Sequence, residues 1–272
     1  MILYFSATGN CEYVAKRIAE KSGDETVSVA ERYKKRSFDF PGKIETLGIV
    51  SPTYAWGLPI IVREFLQQMS FENKPDYIYF IATYGTTPGQ TGKFAEDILK
   101  PKGLSLSARF SVKMPDTWTP TFDLSNKEKV RRINERAEAE IVSIIGQVSA
   151  RETGDHMKNK MPLLFARALY CAEYDSMRKT QHFVVKDSCI GCGLCAQNCP
   201  VSALEIKDGR PVWVKSQCVM CLGCLHHCPK FAIQYGERTK NHGQYTHPRF
   251  SRHQSESCRR FLCGSFLSFN II

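Results

Sequence analysis

Apolar and polar positions along the first 150 residues switch between two periods. Short apolar runs at Ile2–Phe5, Thr26–Ala30, Thr46–Val50, Tyr77–Ala82 and Leu104–Val112 predict five strands. Between them the period lengthens to that of a helix. Asn10–Lys21 places Val14, Ala15, Ile18 and Ala19 on one face, Leu58–Met69 carries Pro59 near its start, and Gly92–Lys100 and Lys127–Val148 follow the same rule. Strands alternating with helices build a parallel sheet covered on both faces. In such sheets ligands bind beyond the carboxyl ends of the strands.

The pattern changes after residue 150. Gly154–Lys160 is polar and predicts a break, and Pro162–Tyr174, with Leu163, Leu164, Ala166, Arg167 and Leu169, predicts a helix packed between two modules. Short strands are expected at Phe183–Val185, Ala203–Ile206 and Val212–Val214, the last two joined by a turn at Gly209-Arg210-Pro211. The expected organisation is 1–150, a helical linker 151–182, a small module 183–236 and a basic tail 237–272.

The small module holds the most specific signal. Cys189, Cys192, Cys195 and Cys199 precede Pro200 in a C-x2-C-x2-C-x3-C-P run, which recurs as Cys218, Cys221, Cys224 and Cys228 before Pro229. Each cysteine lies 29 residues after its counterpart, and Ala203 and Leu204 match Ala232 and Ile233, so the run is an internal duplication. A cubane cluster needs four thiolates at tetrahedral corners. Three from one tight loop wrap one face, and small residues such as Gly191, Gly193 and Gly223 let backbone amides approach the sulfurs. Structural zinc also uses C-x2-C pairs, but has no use for a third cysteine at the same spacing plus C-x3-C-P, twice over. Residues 183–236 resemble a complete two-cluster bacterial ferredoxin. That resemblance implies crossed ligation, because in such ferredoxins the cysteine before proline serves the other cluster. Cluster I would take Cys189, Cys192, Cys195 and Cys228, and cluster II Cys199, Cys218, Cys221 and Cys224.

Composition agrees with metal chemistry. The chain has 272 residues, 12 cysteines and a formal net charge of +10. Met1–Phe5 is apolar but lacks a basic region before it, so it does not read as a signal peptide, and a cytoplasmic location is expected. In a reducing compartment cysteines serve ligation or redox chemistry more than disulfides. The charge is spread along the chain without a dense basic stripe, which argues against nucleic acid. Ligation by eight deprotonated thiolates would remove about four of those charges. No stretch reaches the roughly 18–20 apolar residues of a membrane span, Phe261–Phe269 coming nearest. The remaining cysteines have no ligand spacing: Cys171 is expected in the core, and Cys258 and Cys263 lie in the tail. His242 and His247 are expected on a polar surface segment, and His226-His227 beside the ligands or on the surface.

Three loops of the first module carry its candidate chemistry. Ser6-Ala7-Thr8-Gly9-Asn10 joins the first strand to the first helix, with hydroxyl donors, a glycine and a helix N-terminus but no charge. It is neither the dinucleotide G-x-G-x-x-G nor a Walker loop. Ser51–Gly57 follows the third strand and Thr83–Gln90 the fourth. In these loops residues 1–150 resemble flavodoxin. The resemblance implies an α/β flavodoxin-like doubly wound parallel sheet of order 2-1-3-4-5, followed by a small α+β two-cluster ferredoxin-like domain. It implies FMN, with phosphate contacts from Ser6, Thr8, Gly9, Asn10 and Cys11. Ring contacts would come from Thr53, Tyr54, Ala55, Trp56 and Gly57, and from Thr83, Tyr84, Gly85 and Gln90. Trp56 and Tyr84 are the stacking candidates, Tyr54 competes with Trp56, and backbone near Gly57, Gly85 and Gly89 could bond the ring edge. Cys11 stands where flavodoxin loops usually have serine or threonine, and a thiol is a poor donor. It reads as a substituted loop residue, although a helix N-terminus can activate a thiol. The loops contain no acidic residue, so a flavin potential less negative than in acidic flavodoxins is expected.

Two [4Fe–4S] clusters beside FMN imply electron transfer with redox partner proteins. The alternative is an FMN-dependent reductase of a small substrate, with Met114–Asp123, including Asp116 and Trp118, as its candidate lid.

Overall fold

The computed structural model describes residues 1–249, so Cys258, Cys263 and Phe261–Phe269 lie outside the described residues. The first unit runs β1 (Ile2–Tyr4), α1 (Asn10–Ser22), β2 (Thr26–Ser28), α2 (Val29–Lys34), β3 (Asp39–Phe40), β4 (Thr46–Pro52), α3 (Ile60–Gln68), β5 (Ser70–Phe71), β6 (Tyr77–Tyr84), α4 (Thr91–Leu99), β7 (Ala108–Lys113), α5 (Lys127–Ser149) and β8 (Gly154–Asp155). Six of these strands form a sheet of order β2-β1-β4-β6-β7-β8, parallel throughout. Within it β2-β1-β4-β6-β7 take the doubly wound order 2-1-3-4-5, β8 adds a short edge, and β3 and β5 pair apart from it.

Period-two alternation divides the core. In β6, Ile78, Phe80 and Ala82 join Phe65, Leu66 and Leu99 on one face, while Tyr79 and Ile81 join Val14, Ile18 and Ile141 on the other. All eight residues of β6 are buried, as a central parallel strand requires. Each large side chain removed from water there contributes about 1.5–3 kcal/mol. The sheet therefore holds its carboxyl ends, where the three loops emerge, on a rigid frame.

Several elements differ from the sequence reading. The second strand stops at Ser28, whose hydroxyl accepts the Glu31 amide and caps α2 at Val29, so Val29 and Ala30 are helical. The fifth strand starts at Ala108, and Leu104 and Leu106 are buried in the approach to it. The polar segment 154–160 contains β8, because Ser107 and Arg109 accept amide hydrogen bonds from Gly154 and His156.

The second unit follows α6 (Leu163–Met177), with β9 (Phe183–Val185), α7 (Leu194–Gln197), β10 (Leu204–Lys207), β11 (Arg210–Trp213), α8 (Gly223–His226), β12 (Ile233–Tyr235) and α9 (Thr239–His242). β9 pairs with β12 and β10 with β11, both antiparallel. Arg210 and Pro211 belong to β11, so the turn sits at Asp208-Gly209, both with positive φ.

α6 joins the units through one face, Ala166, Tyr170 and Tyr174. The Tyr170 hydroxyl donates to Leu58 O at 2.7 Å, and that of Tyr174 donates to Val219 O at 3.2 Å while accepting the Ile60 amide. Cys171 lies off this stripe and is exposed, contrary to the expected core position.

Residues 237–249 also depart from expectation. They pack back on the first unit as a strap. The Tyr245 hydroxyl donates to Asn10 Oδ1 at 2.8 Å, the His247 amide donates to Thr8 O at 2.8 Å, and the buried His247 ring stacks on Tyr13. Burial of aromatic surface, which composition alone does not reveal, overrides the polar appearance of this segment. Among the described residues no helix is long and apolar enough to cross a membrane.

Candidate functional site

The first loop is set by Gly9. Its φ of 96° is open to glycine and lets the chain turn directly into α1, whose Tyr13 amide donates to Gly9 O. The Gly9 amide donates to Ser6 Oγ at 3.1 Å, so the loop closes on itself. The second loop is tighter. Tyr54 and Gly57 exchange amide–carbonyl bonds of 2.9 Å across Ala55 and Trp56, whose φ values are 46° and 64°. Such a turn usually takes Asn-Gly, and each L residue held there costs about 1–2 kcal/mol. Backbone strain of this kind clusters at functional sites. The third loop is tied to the second by the Thr53 amide donating to Thr83 O and by the Gln90 amide donating to Trp56 O.

These loops converge on a cavity of about 420 Å³, in the size range of ligand sites. Ser6, Thr8, Asn10 and Cys11 line it from the first loop, Thr53, Tyr54, Ala55 and Trp56 from the second, and Thr83, Tyr84 and Gly85 from the third. Four of the residues singled out from sequence stand outside it, among them Gly89, which lies against the Trp56 backbone. Gly9 shapes the loop from behind. Gly57 packs under Tyr170 and Phe94, where a Cβ would collide with both rings. Gln90 caps α4 and donates its side-chain amide to Met161 O.

Cys11 is fully enclosed beside Thr83 Oγ1 at 3.1 Å. Burial pushes its thiol up to about 12, against the lowering effect of that hydrogen bond. It is a protonated thiol at neutral pH, and desolvation overrides the helix N-terminus.

Sequence reasoning left Asp116 as one residue of a candidate lid. The structure places it, half-buried, in the cavity wall directly over Gly85, where any Cβ would overlap its side chain. Desolvation raises its pKa, opposed by the Trp118 amide donating to Oδ1 at 3.0 Å. A carboxyl with a higher pKa folded than unfolded binds more protons in the native state. Stability therefore falls as pH rises from the unfolded value through the folded one. Asp116→Asn is expected to remove that penalty, raising Tm at pH 7 with a gain that shrinks toward about pH 4. Melting curves across that range check it.

The Met114–Asp123 segment meets both units. Pro115, Asp116, Thr117 and Trp118 line the cavity, while the buried His226 donates from Nε2 to Thr117 O at 2.9 Å and Trp118 packs on Tyr235. His227 reaches the first loop, with Nε2 2.8 Å from Ala7 O. The duplicated segment therefore touches the first loop by hydrogen bond, and Met220, Cys221 and Leu222 form one wall of the cavity.

Two smaller cavities lie within the second unit. Cys189, Cys192, Cys195 and Cys228 line one, and Cys199, Cys218, Cys221 and Cys224 line the other. Ala203 and Ala232 amides donate to Cys199 and Cys228 sulfurs at 3.2 Å each. Burial pushes Cys195 and Cys218 up to about 11, so both thiols need a metal partner to stay ionised at neutral pH. Among the described residues no group of three or more His, Cys, Asp or Glu is arranged to hold one ion. Two four-cysteine frames suit multi-iron groups with all-sulfur donors and amide hydrogen bonds to sulfur. Cys192 is exposed and Cys199 buried, so the first frame is the outer one.

A family model described as flavodoxin domain matches residues 1–141, and one described as 4Fe-4S dicluster domain matches 188–233. No curated protein matches the chain. Among solved structures, the rubredoxin oxygen:oxidoreductase of Desulfovibrio gigas is 18% identical with a TM-score of 0.31, covering 53% of this chain, which spans only 36% of that one. A flavoprotein in complex with FMN from Lactobacillus acidophilus is 17% identical, TM-score 0.31, over 40% of this chain and 90% of its own. The oxidised flavodoxin 1 of Bacillus cereus is 16% identical, TM-score 0.30, over 52% and 95%. Similarities this weak fix neither ligand nor partner. The two family matches cover the sheet with its cavity and the paired cysteine frames, the two parts of an electron-transfer iron–sulfur flavoprotein. By its residues 1–141 the chain belongs to the flavodoxin domain family, and a 4Fe–4S dicluster domain follows in the same chain.

Proposed function

We propose that this protein relays electrons between two [4Fe–4S] clusters and FMN. Residues 1–150 would hold the flavin, 151–182 connect, 183–236 hold the clusters, and 237–249 brace the first loop. When bound, the clusters accept single electrons and the flavin one or two. The chain's own residues set where those groups meet. Ser6, Thr8 and the start of α1 offer neutral donors to a phosphate. Trp56 and Tyr84 offer ring faces, and Asp116 a carboxyl in the cavity wall whose raised pKa suits it to exchange the proton that accompanies reduction.

One observation carries the reading: Cys221 lines both the large cavity and the inner cysteine frame. A sulfur of the inner cluster would thus stand in the wall of the flavin site. The exposed Cys192 supports contact between the outer cluster and a redox partner protein at the surface. Anaerobic purification with iron, sulfide and flavin analysis tests the reading. About eight irons, eight sulfides and one FMN per chain are expected; zinc without labile sulfide would reject it.

A reductase acting on a small substrate is the second reading, and Asp116 is the observation that favours it. A carboxyl of raised pKa in the wall of a cavity of about 420 Å³ is suited to donate a proton to a bound acceptor.

A further inference from the structure

The two halves of the duplicated segment share a backbone but not a sequence at two positions. Gly191 and Gly193 have φ of 65° and 75°, and their counterparts 29 residues on, Met220 and Leu222, have φ of 58° and 52°. Left-handed backbone is natural for glycine and unfavourable for a large L side chain. The first half meets the demand with glycine. The second half meets it with two of the bulkier apolar residues.

The surroundings differ in a way that accounts for this. A Cβ on Gly191 would press on the Gly209 carbonyl, and one on Gly193 would meet nothing within 4 Å. Met220 and Leu222 are 4% and 2% exposed and pack with Leu225, Ile233 and Trp118. Both line the large cavity, Leu222 also lines the inner cysteine frame, and Cys221 stands between them. The side chains that strain this loop are the ones that separate the two sites.

We propose that Met220 and Leu222 form a dry apolar partition that lowers the reduction potential of the inner cluster below that of the outer one. The inference rests on the function proposed above. A reduced cluster carries one more negative charge than an oxidised one. Water beside the sulfurs stabilises that charge, and apolar side chains do not. The outer frame is also lined by apolar residues, but it has glycine at the two counterpart positions, and its Cys192 is exposed.

Potentiometric titration of the anaerobic full-length holoprotein, followed by electron paramagnetic resonance, provides the test. Leu222→Gly and Met220→Gly suit the left-handed backbone, so the loop keeps its path while the screen is opened. Each is expected to raise the potential of one cluster and leave the other in place, at unchanged iron content. Met220→Leu restores the apolar wall and is expected to leave both potentials as in the wild type. If a glycine variant fails to retain its clusters, Leu222→Asn puts the same question, since asparagine tolerates this backbone and brings a polar group. Fully loaded variants with both potentials unmoved would overturn the partition alone. Wild-type protein free of labile sulfide would overturn the proposed function and the partition with it.

Discussion

Replacing Cys228 by alanine is expected to remove the outer cluster, although Cys228 belongs to the second repeat. Its sulfur faces the cavity of Cys189, Cys192 and Cys195. Cys199→Ala should remove the inner cluster instead, because Cys199 lines the cavity of Cys218, Cys221 and Cys224. Either change should lower iron from about eight to about four atoms per chain, with different centres surviving. If ligation followed sequence order, the survivors would be exchanged. The inner centre lies beside Met220 and Leu222 and the flavin wall, so magnetic interaction with a half-reduced flavin should persist in Cys228→Ala and vanish in Cys199→Ala. Electron paramagnetic resonance of the reduced variants distinguishes the two arrangements.

Gly89→Ala should have the second large effect. Gly89 has a φ of 55°, and a Cβ there would overlap the carbonyl oxygen, carbonyl carbon and Cα of Trp56, all backbone atoms. No rotamer relieves such a clash. The Trp56 carbonyl also accepts the Gln90 amide at 3.0 Å, so the second and third loops would be forced apart. A loss of roughly 2–4 kcal/mol is expected, with FMN affinity at least about tenfold weaker. Gly146→Ala serves as contrast. Gly146 lies within α5, its added Cβ would meet nothing within 4 Å, and a gain of about 0.5–1 kcal/mol is expected. Thermal melts and flavin fluorescence titrations of both variants check the pair.

The parts of this molecule legible in sequence were those with local causes. The sheet showed itself through strand-length apolar runs, since β6 is buried on both faces and reads as continuous apolar sequence. The cysteine repeat showed itself through spacing, which a cluster constrains directly. What stayed hidden depends on contacts distant along the chain. β8 exists because β7 offers an edge, not because Gly154-Asp155 favours a strand. The 237–249 strap looks polar, yet Tyr245 and His247 are buried by α1 and the first loop, more than 230 residues away along the chain. Cys171 is exposed because the tyrosines at 170 and 174 fix which face of α6 turns inward. Asp116 lies in a loop whose sequence gives no sign of its place in the cavity wall; its position over Gly85 follows from the path of the chain after β7. The three cavity loops themselves carry no acidic residue, so the cavity's carboxylates, Asp116 and Glu173, come from segments outside them.

That Cys221 serves two cavities at once is the claim on which the account turns. Rapid anaerobic reduction of the clusters by a one-electron donor, with flavin absorbance followed in the same mixture, tests it most directly. Flavin reduction is predicted to follow cluster reduction at a first-order rate that does not change with protein concentration. A rate that rises in proportion to protein concentration, or clusters that stay reduced beside an oxidised flavin, would contradict it.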